Sequence, residues 1–137
     1  MQTAGYSGTP LAKKLGIKPG FKLAPVNAPE HYFNLFTDMP PDIVLVNDGA
    51  VLKDIIHLFT KSKAEYMVLL PELKAQILQN GMIWVSWPKK ASKIATDITE
   101  DVIRDYALQI GLVDVKVCAV DEVWSGLKLV IRLVDRR

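Results

Sequence analysis

Apolar and polar positions along this chain change period several times, and the changes fall at turn-forming residues. Thr9-Pro10 places an N-cap before a proline at the first helical position, and Gly16 supplies a stop. Leu11 to Leu15 is therefore expected to make one or two helical turns. After the Lys18-Pro19-Gly20 turn, Phe21 to Val26 has the character of a strand. Pro25 donates nothing to a sheet ladder, which predicts an edge strand or one that ends before it. Asn27 or Ala28 ahead of Pro29-Glu30 predicts a helix start, with the helix running to about Phe36. Pro40-Pro41 breaks the chain, and Ile43 to Val46 is a short apolar strand ending in Asn47-Asp48-Gly49. Ile55 to Thr60 is the next strand.

Ser62-Lys63-Ala64-Glu65 has the spacing of a capping box, in which serine and glutamate each satisfy an orphan amide of the other's turn. Tyr66, Leu70, Leu73 and Ile77 follow at helical spacing, with Pro71 expected to kink or restart the helix and Asn80-Gly81 to end it. Met82 to Trp87 reads as a buried strand. Asp97 to Glu100 is a second capping-box candidate, before an apolar face of Val102, Ile103, Tyr106, Ala107 and Ile110 and a stop at Gly111. Val113 to Val120 and Leu127 to Val134 alternate, and the short Asp121 to Gly126 connection predicts an antiparallel hairpin. Strands alternating with helices imply a mainly parallel sheet covered on both faces. The expected fold is a single α/β domain over residues 1–137, a Rossmann-like three-layer sandwich. Its sheet should have about six strands and close with the C-terminal hairpin.

Composition narrows the function classes more than it selects one. With 137 residues, half of them hydrophobic, the chain is long enough to bury a sizeable core. Seventeen basic against 15 acidic residues leave a net charge of +2, which argues against a nucleic-acid or membrane-surface partner. One cysteine, Cys118, excludes an internal disulfide and fits a reducing compartment. The first residues lack a basic and then apolar leader, and no apolar run approaches bilayer length. These features predict a cytoplasmic protein with no membrane partner.

Two resemblances enter at particular strings. Leu78-Gln79-Asn80-Gly81-Met82-Ile83-Trp84-Val85, set between a strand–helix pair and a final helix and hairpin, resembles the second half of a Rossmann-type methyltransferase domain. Tyr6-Ser7-Gly8-Thr9-Pro10-Leu11-Ala12-Lys13-Lys14-Leu15-Gly16-Ile17-Lys18-Pro19-Gly20 resembles the opening of a family of short bacterial proteins known only as a domain of unknown function. Trp87-Pro88-Lys89-Lys90-Ala91-Ser92 and the stretch from Gly111 to Leu129 resemble that family's later motifs. This second resemblance implies a Rossmann-like fold and a bacterial source, and it brings no activity with it.

In open α/β sheets, ligands bind outside the carboxyl ends of the strands, near the switch in strand order. The segments expected there are Asn27 to Glu30, Asn47 to Gly49, Thr60 to Ser62 and Trp87 to Ser92. Candidate ligand-binding residues are accordingly Asn27, Glu30, Asp48, Lys61, Ser62, Trp87, Lys89, Lys90 and Ser92. Lys89, Lys90 and Lys93 with Ser92 could hold a phosphate or carboxylate, and their bland reading is a solvated basic loop over Trp87. A methyltransferase would need a glycine-rich turn after the first strand, where this chain has Asn27-Ala28-Pro29-Glu30. Asp48 could stand in for an acid that grips a ribose. Neither G-x-G-x-x-G nor a P-loop is present, so no cofactor is assigned.

The remaining reactive side chains read as structural. Asp121 and Glu122 are adjacent in a turn and should point apart, and Trp124 should cover the sheet edge or meet a partner. His57 lies in an apolar strand, His31 in a first helical turn, and Cys118 in mid-strand, so neither a metal site nor a catalytic thiol is expected. The first reading is a non-catalytic binding module for a small anion or nucleotide. A protein-interaction or homo-oligomerising module is the alternative, and a diverged S-adenosylmethionine-dependent transferase ranks third.

Overall fold

A computed structural model describes residues 9–137, so the first three residues of the Tyr6 to Gly20 string lie outside the described residues. The chain runs α1 (Leu11–Leu15), β1 (Lys22–Val26), β2 (Val44–Leu45), β3 (Lys53–Phe59), α2 (Lys63–Lys74), β4 (Ile77–Pro88), α3 (Glu100–Gln109), β5 (Leu112–Ala119) and β6 (Trp124–Ile131). The six strands form one sheet in the order β2-β1-β3-β4-β6-β5. β2, β1, β3 and β4 are parallel, while β6 is antiparallel to both β4 and β5. This is the α/β Rossmann-like architecture with a C-terminal hairpin that the alternation of elements predicts. α2 and α3 cover one face through Tyr66, Leu70, Ile103 and Ala107, packed on Ile56, Leu58, Ile83, Leu127 and Leu129. α1 and a 3₁₀ turn at Tyr32–Leu35 cover the other, over Leu23, Ile55, Phe59 and Trp84.

Several boundaries differ from the sequence expectation for identifiable reasons. β1 lies inside the sheet and runs through Pro25. Leu23 O accepts from Val46 N, so Pro25, two residues on, presents its missing donor to the same side, where β2 has already ended. The segment after Pro29 forms only the 3₁₀ turn, held by bonds from Tyr32 N to Pro29 O and from Asn34 N to His31 O. α2 ends at Lys74, and Ile77 is the first residue of β4, paired with Lys53. Asn80-Gly81 is then a bulge inside β4, where a Cβ on Gly81 would stand 3.0 Å from both Leu78 O and Lys53 O. Pro71 stays inside α2. The carbonyl it leaves without a helical donor, Met67 O, accepts from Tyr106 Oη of α3 at 3.0 Å.

The capping residues do more than the local pattern indicates. Ser62 caps α2 by accepting from Glu65 N, and the return bond is relayed. Thr60 Oγ1 accepts from Ser62 N at 3.3 Å and donates to Glu65 Oε1 at 2.7 Å. α3 is capped by Thr99, not by Asp97. Asp97 instead accepts from Lys63 N, serving the first amide of α2 from the neighbouring loop. In the hairpin, a register shift between Asp114 and Lys116 breaks the expected Val113–Ala119 alternation, leaving Val115 and Val117 exposed. β6 starts at Trp124 and stops at Ile131, so Leu133 is exposed beyond it.

β3 and β4 carry polar groups into the interior, and these satisfy one another. His57 is fully buried, with Tyr32 Oη 3.1 Å from Nδ1 and Ser86 Oγ 2.8 Å from Nε2. Trp84 donates its indole N–H to Leu15 O at 2.9 Å, which fixes α1 on the sheet. Lys53, also buried, donates to Asp48 O and Gln76 Oε1, each at 2.8 Å.

Burial depresses the His57 imidazole from its usual 6.5 to about 3. The unfolded chain therefore binds a proton that the folded one refuses, and stability present above pH 6.5 is lost as pH falls toward 3. Melting curves at pH 8 and 5.5 should differ by about 1.4 kcal/mol, roughly 3 to 5 °C, from this group. His57→Gln should flatten that part of the profile; an unchanged slope would contradict a neutral buried imidazole.

Candidate functional site

The chain leaves β1 toward β2 on one side and then crosses to β3 on the other, so the switch in strand order lies between β1 and β3. The carboxyl ends of these strands open onto a cavity of about 340 Å³ lined by Asn27, Pro29, Phe59, Thr60, Lys61, Glu65 and Trp124. Each lining residue is placed by a local cause. Asn27 turns the chain out of β1 in the left-handed region at φ 56°, a conformation asparagine tolerates better than most residues. Thr60 is buried and its hydroxyl is committed to the relay between Ser62 and Glu65. β6 runs opposite to β4, so Trp124 stands level with Pro88 at the same end of the sheet.

Ring contacts hold the aromatic wall together. Trp124 meets Phe59 edge-on at 5.0 Å between centroids, and Phe59 stacks on His57 at 4.3 Å. Asp121 Oδ1 accepts from both Val123 N and Trp124 N, which holds the hairpin turn, and Asp121 Oδ2 lies 3.8 Å from His31 Nε2. The two acids of the turn thus divide: Asp121 is structural and Glu122 is exposed.

The sequence candidates fall into separate places. Asn27 and Lys61 line the switch-point cavity. Trp87 and Lys90 line a second cleft of about 450 Å³, shared with Lys93, Ile98 and the start of α3. Ser92 Oγ donates to Lys89 O and accepts from Ile94 N, so it closes its own turn. Lys89 donates its backbone N–H to Val123 O. Glu30 is exposed and lines neither cavity, and Ser62 is the cap of α2. Asp48 is beside Lys53 and Ala50, at the amino end of β3. That end is about 20 Å from Thr60 along the strand, because residues 46–52 return directly to start β3. Phe59, Glu65 and Trp124 are the lining residues outside the segments expected at the strand ends, and Pro29 and Thr60 fall inside those segments without having been singled out. The antiparallel hairpin carried a signal for Trp124, since its tip must return to the carboxyl end of β4.

Among the described residues, no three histidine, cysteine, aspartate or glutamate side chains gather as a metal site, and no helix is long and apolar enough to cross a membrane. Cys118 is half-buried, and burial pushes its thiol up, away from the reactive form.

No family model matches the chain, and no curated protein matches it in sequence. Its backbone is similar to that of a ribosomal protein L11 methylase from Lactobacillus delbrueckii subsp. bulgaricus, with a TM-score of 0.59 and 12% identity over 89% of this chain and 75% of that one. A magnesium protoporphyrin IX methyltransferase from Synechocystis, with bound SAM, gives a TM-score of 0.61 at 10% identity, over 89% and 74% of the two chains. A fibrillarin pre-rRNA processing protein from Methanococcus jannaschii gives 0.54 at 9%, over 90% and 70%. The likeness shows a methyltransferase-like Rossmann fold. The residues present do not fit adenosylmethionine in the manner the fold suggests. The turn after β1 contains no glycine, Pro29 lacks an N–H to offer, and Asp48 is at the wrong end of β3.

Since Asp121 holds the turn that positions Trp124, Asp121→Ala should destabilise the fold by about 1 to 3 kcal/mol in urea unfolding, and Asp121→Asn by less. An unchanged midpoint would mean that ring contacts alone hold Trp124.

Proposed function

We propose that this chain is a non-catalytic Rossmann-like binding module that takes a nucleotide, or a similar planar anion, at the switch-point cavity. The observation that carries this reading is the pairing of an aromatic wall, Trp124 on Phe59, with a lysine at one mouth. A ring stacked on Trp124 gains from burial and π contact. Lys61 offers a mobile cation to a phosphate, while the Asn27 amide and the Glu65 carboxylate suit the donors and acceptors of a base or ribose. Thr60 donates its hydroxyl to Glu65 and accepts from Ser62 N, which commits both side chains to the cap of α2, and His57 lies beneath Phe59. The methyltransferase neighbours favour a nucleoside-bearing ligand over other small anions, which keeps adenosylmethionine in the test.

The alternative, an interaction module, draws on a different observation. Phe33, Val44 and Leu45 are apolar and exposed around the short β2 edge.

Titration calorimetry of the whole chain with AMP, ADP, adenosylmethionine, adenosylhomocysteine and phosphate tests the first reading. One of the adenine compounds should bind, with affinity falling about tenfold in Lys61→Ala and tenfold or more in Trp124→Leu. A ligand at a hundred times its dissociation constant should also add about 2.7 kcal/mol of stability. Loss of binding in Lys90→Ala instead would move the ligand to the second cleft. No binding by any member of the panel would overturn the reading in favour of the interaction module.

A further inference from the structure

The register of the sheet aligns Pro25, His57, Trp84, Lys128 and Lys116 in one row across five strands. His57 and Trp84 lie buried beneath the α1 side, but beyond them the row turns to lysine, half-buried at Lys128 and exposed at Lys116. Like charges directly opposite on paired strands repel, so this pair adds nothing to the stability of the hairpin. Lys18, from the turn after α1, adds to it: Lys128 is held below the usual lysine range by burial first, then by Lys116 and Lys18. Cys118 on the same strand is within the field of Lys14, Lys116 and Lys89. Lys116 and Lys128 thus share one row of the sheet, and Lys14, Lys18 and Lys89 lie within electrostatic reach of that part of the hairpin.

Among the described residues, no carboxylate lies within 4 Å of Lys18, Lys89, Lys116 or Lys128. Glu100, Asp101 and Asp114 instead surround Arg104 on the α3 side. The net charge of +2 averages over these two faces, which is why the whole-chain count argues against a polyanionic partner.

We propose that this lysine face docks the phosphate backbone of nucleic acid. The cations of Lys18, Lys89, Lys116 and Lys128 come from separate segments and have no carboxylate within 4 Å, an arrangement suited to repeated charges and not to one enclosed anion. Protein interfaces are depleted in lysine and centre on aromatic or apolar anchors, whereas nucleic-acid interfaces are strongly basic. None of these lysines lines the Trp124 cavity, so the proposal is tested independently of the nucleotide reading.

Fluorescence anisotropy with a labelled duplex of about 20 base pairs, between 50 and 200 mM salt, is the test. Contacts from Lys18, Lys89, Lys116 and Lys128 predict a log–log slope near −3.6, a loss of affinity of about a hundredfold over that range. Lys116→Ala and Lys128→Ala should each flatten the slope by about 0.9, and Lys63→Ala, at the start of α2, should leave it unchanged. Lys116→Glu with Lys128→Glu should abolish binding while circular dichroism stays that of the parent. The proposal is overturned by no binding at 50 mM salt, or by a slope that the two alanine variants do not alter. Competition by polyglutamate equal to that of the duplex, or by millimolar phosphate, would also overturn it, assigning the face to an acidic protein or a small anion.

Discussion

Burial of β3 and β4 on both faces is the constraint from which the rest of the molecule follows. Every residue from Gly81 to Pro88 is buried, and so is β3 from Ile55 to Phe59. Strands sandwiched in this way must satisfy each polar atom internally. They do so through Tyr32–His57–Ser86 and through the bond from Trp84 to Leu15. These contacts hold the 3₁₀ turn and α1 on one face, as Tyr66, bonded to Ile103 O, joins α2 to α3 on the other. Ligand chemistry is thereby excluded from the middle of the sheet and displaced to strand ends and to the hairpin's open face.

Signals confined to a few residues were legible in the sequence. α1 between Pro10 and Gly16, the Ser62 cap, the runs of β3 and β4, and the hairpin all follow from local chemistry. Where an outcome depended on distant partners, the pattern was ambiguous. Ile77 suits a helical stripe and a strand equally, and only pairing with Lys53 decides between them. The Pro29-Glu30 start signal is real, yet only Tyr32 of that turn is buried, too little apolar surface to extend it into a helix. Asp97 has the identity of a cap and serves a helix 34 residues earlier in the chain.

The candidate site was legible in location more than in membership. Asn27 and Lys61 were expected at the switch point and line it. Trp124 stands more than 60 residues away in sequence and reaches the cavity only because β6 reverses direction. Asp48 leaves the group because β2 has two residues and its connection to β3 has no helix to return it to the carboxyl end. The chain shares the Rossmann-like frame of its methyltransferase neighbours. On this account the frame supplies a place to bind, and Trp124 and Lys61 define what binds there.

The three tryptophans make the most direct test, because each reports a different location. Trp124 lines the switch-point cavity, Trp87 the second cleft, and Trp84 is bonded inside the core. A nitrogen–proton correlation spectrum of the labelled chain, titrated with an adenine nucleotide, follows all three indole signals at once. The Trp124 indole should move together with the amides of Asn27 and Lys61, while those of Trp84 and Trp87 stay. Movement of Trp87 alone, or of none of the three at millimolar nucleotide, would contradict it.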